Sequence, residues 1–263
     1  MPKNKFSFIF NNLNLKNKTI LDAATGAGRA TYRWAEQIDK QGGHSRIISV
    51  DKFDLPGENE KEWISSIKQS LGEYEKYVDI KKGDIFNLHF LADNSIDIIN
   101  CDNTIVFLNK EPLQIMNALK EFKRILKPEG ILVIVSEDTF DDLTEKNQTQ
   151  WKRWNLSKAI YNLNGKTWST EPKIKNVMDA LNIIGFKKQD SLRLNAIKNT
   201  SNYKTIVKEW KKIMNIEIQK IPFSHNFKTN LKEEVKKIYE KVLKEKYIMT
   251  FSYWILKAVL KDR

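Results

Sequence analysis

The chain has 263 residues with 41% hydrophobic and 11% aromatic side chains, which indicates a globular protein with one sizeable core and excludes a disordered chain. A single cysteine, Cys101, excludes an internal disulfide framework, and three scattered histidines without a metal-binding spacing predict no metal site. The net charge is +12, and since neither a secretory signal nor an apolar stretch of roughly 18 residues is visible, we expect a cytoplasmic protein without a membrane span.

The first 135 residues alternate short β-branched runs with amphipathic stretches. The runs predict strands at 18–22, 46–50, 78–82, 95–100 and 131–135, and the stretches between them predict helices at 29–40, 60–77 and 112–126. Lys127-Pro128-Glu129-Gly130 is expected to stop the last of these helices before the next strand begins. Because several strands are too apolar for a sheet with one wet face, the pattern favours a parallel sheet covered on both faces.

The pattern changes after residue 136. Residues 137–172 are polar with interleaved aromatics and end at a proline. The remaining sequence predicts a helix at 173–184, a strand at 186–194, helices at 202–219 and 229–246, and an alternating final strand at 247–257. The second half therefore adds two helical segments to an α/β core.

The basic residues are concentrated in the last quarter of the chain. Residues 198–263 contain 16 Lys and Arg against 7 Asp and Glu, whereas residues 1–197 contain 29 against 26. Such an excess either attracts a polyanion such as RNA or coats solvated helix faces. We expect solvated faces, because the lysines alternate with apolar residues at helical spacing, namely Ile206, Val207, Trp210, Ile213, Val235, Ile238 and Val242.

A glycine turn follows the first predicted strand. Residues 20–31 read ILDAATGAGRAT, with Asp22 at the strand end and glycines at 26 and 28. Thr31 leaves the dinucleotide pattern G-x-G-x-x-G/A incomplete, and a carboxylate at Asp22 would repel a pyrophosphate. A cationic ligand fits better, and S-adenosylmethionine carries an ammonium beside a sulfonium. A tight turn without a ligand stays the alternative.

Acids also close the next two predicted strands. Asp51 lies about 20 residues past the turn, the position from which a carboxylate reaches ribose hydroxyls. Asp84 follows the third strand, where an acceptor beside a backbone N–H can bind the amino edge of an adenine. Each acid alone is equally well explained as a cap or turn residue. Together with Asp22, however, three acids at three successive strand ends predict a nucleoside ligand.

These stretches resemble the class I S-adenosylmethionine-dependent methyltransferases. The match covers roughly residues 18–135 through LDAATGAGR, SVDKFDL, KGDIFNL, SIDIINCDNTIVFL and LKEFKRILKPEGILVIVSED. Ala24 stands where the family has its first glycine, as in the ATG variant of the quinone-biosynthesis methyltransferases. The resemblance implies S-adenosylmethionine as cofactor. Its methionine and ribose would lie along Ala24, Thr25, Gly26 and Gly28, with Arg29 at the carboxylate and the backbone of Cys101 at the methionine. Its ribose and adenine would contact Asp51 and Lys52, and the adenine edge would contact Asp84 and Ile85.

The chemistry of a sulfonium methyl limits what the protein must supply. The methyl group is already activated, so transfer requires mainly positioning and exclusion of water. A general base is needed only for a hydroxyl or amine acceptor. Candidate bases are Asp102, Glu137 and Asp138, which follow strands at the same edge, and His225 between the basic helices. We expect capping or surface roles for the three acids and a loop position for His225, with the catalytic role as the alternative.

The sequence thus predicts one methyltransferase domain over residues 1–263. Its core is an α/β, Rossmann-like, doubly wound sheet, mostly parallel with a final antiparallel strand, built from 18–136, 173–194 and 247–260. The helical insertions 137–172 and 195–246 are expected to form a substrate cap. In the first insertion, four aromatics either clamp a planar acceptor or form the core of a helical lid, namely Trp151, Trp154, Tyr161 and Trp168.

Two motifs that are absent from the sequence limit the class of methyl acceptor. The sequence contains neither the N-P-P-Y motif of amino-methylating enzymes nor the Pro-Cys motif of cytosine C5 enzymes, since Asn100 precedes Cys101. A small-molecule acceptor is therefore favoured. An RNA methyltransferase that uses the basic region 198–246, and a non-catalytic module that binds S-adenosylmethionine, stay open as alternatives.

Overall fold

A computed structural model describes residues 5–53, 59–108, 114–137, 148–166, 172–199, 203–244 and 249–261. The described residues form two compact units. The first unit takes its described residues from Met1–Glu137, Glu171–Leu194 and Tyr253–Arg263, and the second from Asp138–Thr170 and Asn195–Ser252. The expectation of one domain with two insertions that cap a substrate concerns the relation between these units and stays a prediction.

Seven strands form one sheet. In chain order they are β1 (Thr19–Ala23), β2 (Arg46–Asp51), β3 (Val78–Lys82), β4 (Ile96–Asp102), β5 (Leu126–Glu137), β6 (Phe186–Asn199) and β7 (Met249–Leu260). The described helices are α1 (Lys5–Phe10), α2 (Arg29–Gln41), α3 (Glu60–Leu71), α4 (Ile105–Leu108), α5 (Gln114–Ile125), α6 (Gln148–Leu163), α7 (Ile174–Ile184), α8 (Tyr203–Lys220) and α9 (His225–Lys244).

The sheet has the order β3-β2-β1-β4-β5-β7-β6. Strands β1 to β5 pair in parallel, while β7 runs antiparallel to β5, with Ile131 opposite Val259. The order reverses at β1, so β1 and β4 lie side by side at the topological switch point, outside whose carboxyl ends open α/β sheets bind ligands. The predicted doubly wound sheet with a final antiparallel strand is confirmed.

Both faces of the sheet are covered by helices. Ile20 belongs to a buried cluster with Trp34 of α2, whereas the next residue, Leu21, belongs to a second cluster with Phe122 of α5. Because successive side chains of a strand point to opposite faces, the two clusters lie on opposite sides of the sheet. This double burial explains why the inner strands read as continuous apolar runs.

The helix predicted at 60–77 ends earlier than its spacing indicated. Helix α3 stops at Leu71, and Gly72–Tyr77 continues as a 3-10 turn. Gly72 has a φ of 56°, a left-handed conformation that glycine adopts without steric penalty and that ends a helix. The apolar residues of the turn continued the helical spacing, which is why the sequence did not reveal the break.

Helix α5 ends at Ile125, next to its predicted stop, but the strand predicted at 131–135 begins earlier and already includes residues 127–130. These residues lie inside β5, which starts at Leu126, directly after α5. Leu126 pairs with Ile96, Ile131 pairs with Ile98, and an irregularity in register separates the two pairs. A bulge of this kind accommodates proline and glycine within a strand. The short helices α1 and α4 were not predicted, because six and four residues are too few to show a helical period.

The second unit contains α6, α8 and α9, whose apolar residues share one buried cluster. Most of the predicted stripe is buried, including Val207, Trp210 and Val235, but Ile206 and Ile213 are 39% and 43% exposed, which corrects that part of the prediction. Helix α9 begins at His225 rather than at 229, so the histidine predicted in a loop is the exposed first residue of a helix.

Candidate functional site

A cleft of about 700 Å³ opens at the carboxyl ends of the central strands in the first unit. This volume falls in the range of roughly 300–1,000 Å³ that is typical of small-molecule sites. Six residues predicted for the cofactor line it, namely Ala24, Thr25, Gly26, Asp51, Lys52 and Ile85. The topology therefore brings the ends of β1 and β2 and the segment after β3 to one place.

The glycine turn is held in shape by neighbours on both sides. The Gly26 N–H donates to Asp51 Oδ2 at 2.7 Å, and the Gly26 carbonyl accepts from Trp63 Nε1 at 2.8 Å. The Thr25 N–H donates to the Val50 carbonyl at 3.0 Å. Asp51 thus joins the end of β2 to the turn after β1, while among the described residues its other oxygen, Oδ1, has only a long 3.4 Å contact with the Phe53 N–H.

Ala24 occupies a glycine-like position. Its φ is +60°, in the left-handed region that costs an L-residue roughly 1–2 kcal/mol. Glycine adopts this conformation without steric cost, whereas alanine does not. Strain of this kind concentrates at functional sites, where the surrounding structure enforces it.

Asp22 lies beneath the turn and is 1% exposed. Its Oδ2 accepts from the Thr25 and Thr31 hydroxyls at 2.9 and 2.5 Å, and its Oδ1 accepts from Asn100 Nδ2 at 2.7 Å. Burial raises the pKa of the Asp22 carboxyl, and the hydrogen bonds from Thr31, Asn100 and Thr25 oppose that rise. Both oxygens thus accept hydrogen bonds from the chain, and the predicted contact of Asp22 with a cation stays a prediction.

Gly28 and Arg29 lie at the start of α2, beside a second cleft of about 530 Å³. Gly28 has a φ of +75°, and a Cβ there would come within 2.9 Å of Ile67 Cγ2, so two constraints require glycine. Arg29 is exposed, and it lines this second cleft together with Lys5 and Arg33. Neither Gly28 nor Arg29 lines the larger cleft, and the predicted contact of Arg29 with a carboxylate stays a prediction.

Asp84 and Lys52 form an ion pair at 3.0 Å, with both side chains about two-fifths exposed. The other Asp84 oxygen accepts from the Phe86 N–H at 3.0 Å. The ion pair lies next to the larger cleft, which Lys52 lines and Asp84 does not. The predicted contact of Asp84 with an adenine amino group is not tested by these distances and stays a prediction.

Cys101 is fully buried in β4. Burial raises the pKa of its thiol to about 12, so the thiol is protonated and unreactive at neutral pH. Only the backbone of Cys101 was expected to contact the methionine, and that expectation does not depend on the thiol.

Among the catalytic candidates, Asp102 lies in both clefts. Its Oδ2 accepts from Lys5 Nζ of α1 at 2.6 Å, and its Oδ1 is buried without a hydrogen-bond partner in the described part of the chain. Glu137 ends β5 and pairs in register with Tyr253. His225 belongs to the second unit, and Asp138 lies outside the described residues. Asp102 is therefore the candidate with a place in the cleft.

Several lining residues were not predicted. Trp63 of α3, Phe86 after β3 and Thr104 after β4 form part of the cleft wall. Trp63 also packs edge-on against Phe53, with ring centroids 4.8 Å apart. The sequence showed Trp63 only as an apolar position of a helix, and no local signal connects it to a glycine 37 residues earlier. Such a contact becomes visible only in three dimensions.

Two features are absent from the described ranges. No group of three or more His, Cys, Asp or Glu side chains is arranged there to hold a metal ion. No helix in the part of the chain that the structure describes has the length and hydropathy of a membrane span.

The model of a protein family described as "Methyltransferase domain" matches residues 14–246. No curated protein matches the chain. The family match covers most of the sequence, including all of β1 to β5. The predicted relation to the quinone-biosynthesis variant stays a prediction.

Solved structures share the fold at low sequence identity. A candidate methyltransferase from Bacillus halodurans C-125 aligns with a TM-score of 0.60 at 15% identity, over 98% of this chain and 99% of that one. A S-adenosylmethionine-dependent methyltransferase from Thiobacillus denitrificans, in complex with S-adenosylhomocysteine, gives 0.52 at 11% identity, over 97% and 90%. Phosphoethanolamine N-methyltransferase 2 from Haemonchus contortus, with phosphomonomethylethanolamine and S-adenosylhomocysteine, gives 0.52 at 15%, over 97% and 51%.

Proposed function

This chain belongs to the methyltransferase-domain family, and we propose that it transfers the methyl group of S-adenosylmethionine to a small-molecule acceptor. The observation that carries the proposal is the cleft at the ends of β1, β2 and β4, which Asp51 and the glycine turn line together. A carboxylate tied to the turn backbone can accept hydrogen bonds from a ribose beside that turn.

The residues of the cleft fit the cofactor. The ribose hydroxyls would be held by Asp51, whose Oδ1 has only the long contact with Phe53 within the described part of the chain. The turn from Ala24 to Gly26 would lie along the methionine, and Ile85 and Phe86 would supply apolar contacts to the adenine. Asp22 would act through Thr25, by fixing the turn from below.

When bound, S-adenosylmethionine supplies a methyl group that moves to the acceptor's electron pair, while the electrons of the broken carbon–sulfur bond stay on sulfur. The chain has to orient the acceptor in line and exclude water. A hydroxyl or amine acceptor must also lose a proton. The unpartnered Oδ1 of Asp102 in the cleft is the candidate proton acceptor.

The acceptor class is supported by two observations. The Haemonchus contortus enzyme was solved with phosphomonomethylethanolamine, a small molecule. In the second unit, the lysines of α8 and α9 lie outside a buried apolar stripe, as expected for solvated faces, and two of them, Lys236 and Lys237, pair with glutamates of their own helix. RNA stays an alternative that the test below addresses.

Calorimetry on the wild type tests the cofactor. We expect binding of S-adenosylmethionine and S-adenosylhomocysteine and no binding of NAD. Asp51→Ala should weaken S-adenosylhomocysteine binding about tenfold to hundredfold, the range for a hydrogen bond to a charged group. Asp79→Ala, which removes an exposed acid of β3, is the matched control and should leave affinity unchanged. NAD binding, or equal losses at both positions, would contradict the cofactor assignment.

Methyl uptake from labelled cofactor separates the acceptor classes. Pools of small metabolites and total RNA are supplied in parallel at near-physiological salt, because salt weakens phosphate contacts steeply. Label in the metabolite fraction supports the proposal, and label in RNA alone overturns it. Binding of the cofactor without label in either pool would favour the non-catalytic module.

A further inference from the structure

Helix α6 buries a polar face. Its buried residues are Thr149, Gln150, Arg153, Ser157 and Ile160, of which one alone is apolar. A helix of a globular protein normally turns an apolar stripe to the interior, as α9 of the same unit does. The polar face of α6 is therefore not explained by packing alone.

This face forms one wall of a cleft of about 430 Å³ inside the second unit. The wall from α6 presents Arg153, Trp154 and Tyr161, and the wall from α8 presents Trp210 and Met214. The cleft thus joins a guanidinium to aromatic and apolar side chains. This combination is typical of sites for small organic ligands, which use apolar walls and few polar groups.

The position of Arg153 is fixed by its neighbours. The Ser157 hydroxyl donates to the Arg153 carbonyl at 2.9 Å and accepts from Trp210 Nε1 at 2.8 Å. The guanidinium carbon lies 5.8 Å from the Trp210 ring centroid, within reach of a cation–π attraction. The Ser157 hydroxyl and the Trp210 indole N–H are therefore both hydrogen-bonded, while the guanidinium lies against the Trp210 ring.

The guanidinium keeps one buried donor unsatisfied. Arg153 is 7% exposed, and its Nε is buried without a hydrogen-bond partner among the residues that the structure describes. Within the described ranges no carboxylate forms an ion pair with it, and Glu209, which lines the cleft, is exposed. The same unit treats another buried charge differently, since Glu217 accepts from Asn164, Lys166 and Lys220. A buried charge without a partner is costly, so a ligand is the natural partner.

We propose that this cleft binds a small organic anion, whose carboxylate or phosphate binds Arg153 while a flat apolar body packs against Trp154 and Trp210. The planar guanidinium fork suits both anions, because each offers two oxygens to parallel N–H donors. Binding of the anion does not depend on the proposed function.

The test uses three probes of one shape in calorimetry on the full chain. These are 2-naphthoate, 2-naphthyl phosphate and the neutral 2-naphthamide. We expect both anions to bind more tightly than the amide. Arg153→Gln should weaken the anions tenfold to hundredfold, as for a charge-assisted hydrogen bond, and should leave the amide unchanged. Arg46→Gln, an exposed arginine at the start of β2, is the matched control and should change nothing.

A second variant, at the rim of the cleft, keeps the proposal testable if Arg153→Gln does not fold. Glu209→Gln removes a carboxylate from the cleft and should tighten binding of the anions several-fold, since like charges repel. Equal affinity for anion and amide in the wild type, or affinities that neither variant changes, overturns the proposal. The ratio of the affinities for 2-naphthoate and 2-naphthyl phosphate shows whether the cleft prefers a carboxylate or a phosphate.

Affinity for S-adenosylhomocysteine, measured on the same samples, separates this inference from the proposed function. Cofactor binding without anion binding means that the inference about the cleft is wrong and methyl transfer stands. Anion binding without cofactor binding means that the cleft takes an anion and that the proposed function is wrong.

Discussion

Asp22 in the first unit and Arg153 in the second are both buried charges, 1% and 7% exposed. Asp22 is surrounded by donors, because Thr25, Thr31 and Asn100 together engage both of its oxygens. The Arg153 guanidinium lies over the Trp210 ring, and its Nε has no hydrogen-bond partner among the described residues. The two side chains are therefore buried to a similar degree, but both Asp22 oxygens are hydrogen-bonded, whereas Arg153 Nε is not.

The difference separates structural charges from charges reserved for a ligand. A buried carboxylate whose partners all come from the chain fixes those partners, and here it fixes the turn that lines the cofactor cleft. A buried guanidinium without a carboxylate reduces the stability of the free protein and gains its partner on binding. Substitution should therefore destabilise the protein at Asp22 and stabilise it at Arg153.

The largest effect is expected for Asp22→Ala. Removal of the carboxylate leaves Asn100 and the two threonine hydroxyls without their acceptor, which should lower the free energy of unfolding by about 2–4 kcal/mol. Denaturant unfolding followed by circular dichroism measures the change. Asp79→Ala removes an exposed acid and should stay within about 0.5 kcal/mol of the wild type. Equal values for the two variants would show that the network beneath the turn contributes nothing.

Arg153→Met should act in the opposite direction with a smaller magnitude. Methionine keeps contact with Trp210 and removes an unsatisfied buried donor, so we expect the free energy of unfolding to rise by about 1–2 kcal/mol. The same unfolding experiment measures it, with Arg46→Met as the exposed control. A loss of stability would mean that Arg153 is satisfied by the chain, which would remove the basis of the proposal for the cleft between α6 and α8.

The two regions also differ in how far their sequence predicts them. Asp51 could be assigned because the residue after a parallel strand lies at the ligand edge whatever the side chains do. The orientation of Asp22 could not, since it depends on Thr31 and Asn100 from two other elements. Arg153 was missed because polar residues in an amphipathic pattern predict an exposed face, and α6 buries that face. Topology is thus encoded locally, whereas burial of a polar face depends on the helices that pack against it.

The smallest expected effect is the dependence of stability on pH, because a protonated Asp22 keeps most of its hydrogen bonds. Burial raises the pKa of Asp22 above the usual 3.8, so the folded protein binds this proton more tightly than the unfolded chain. Between the two pKa values the native state carries the extra proton, and the contribution to stability falls as pH rises. It is fully present below about 3.8 and is lost once pH exceeds the folded pKa.

Other carboxyls have the opposite dependence, so the prediction requires a difference measurement. Ion pairs or hydrogen bonds lower the pKa values of Asp97, Glu121 and Glu217, and their contributions are lost as pH falls. Asp22→Asn removes the titration at position 22, and the hydrogen bonds that it also alters involve groups that do not titrate. The unfolding free energy of the wild type minus that of Asp22→Asn should therefore increase as pH is lowered from neutral. A difference that shrinks with falling pH would mean that the three donors outweigh desolvation, and that Asp22 is held as a fully stabilised anion.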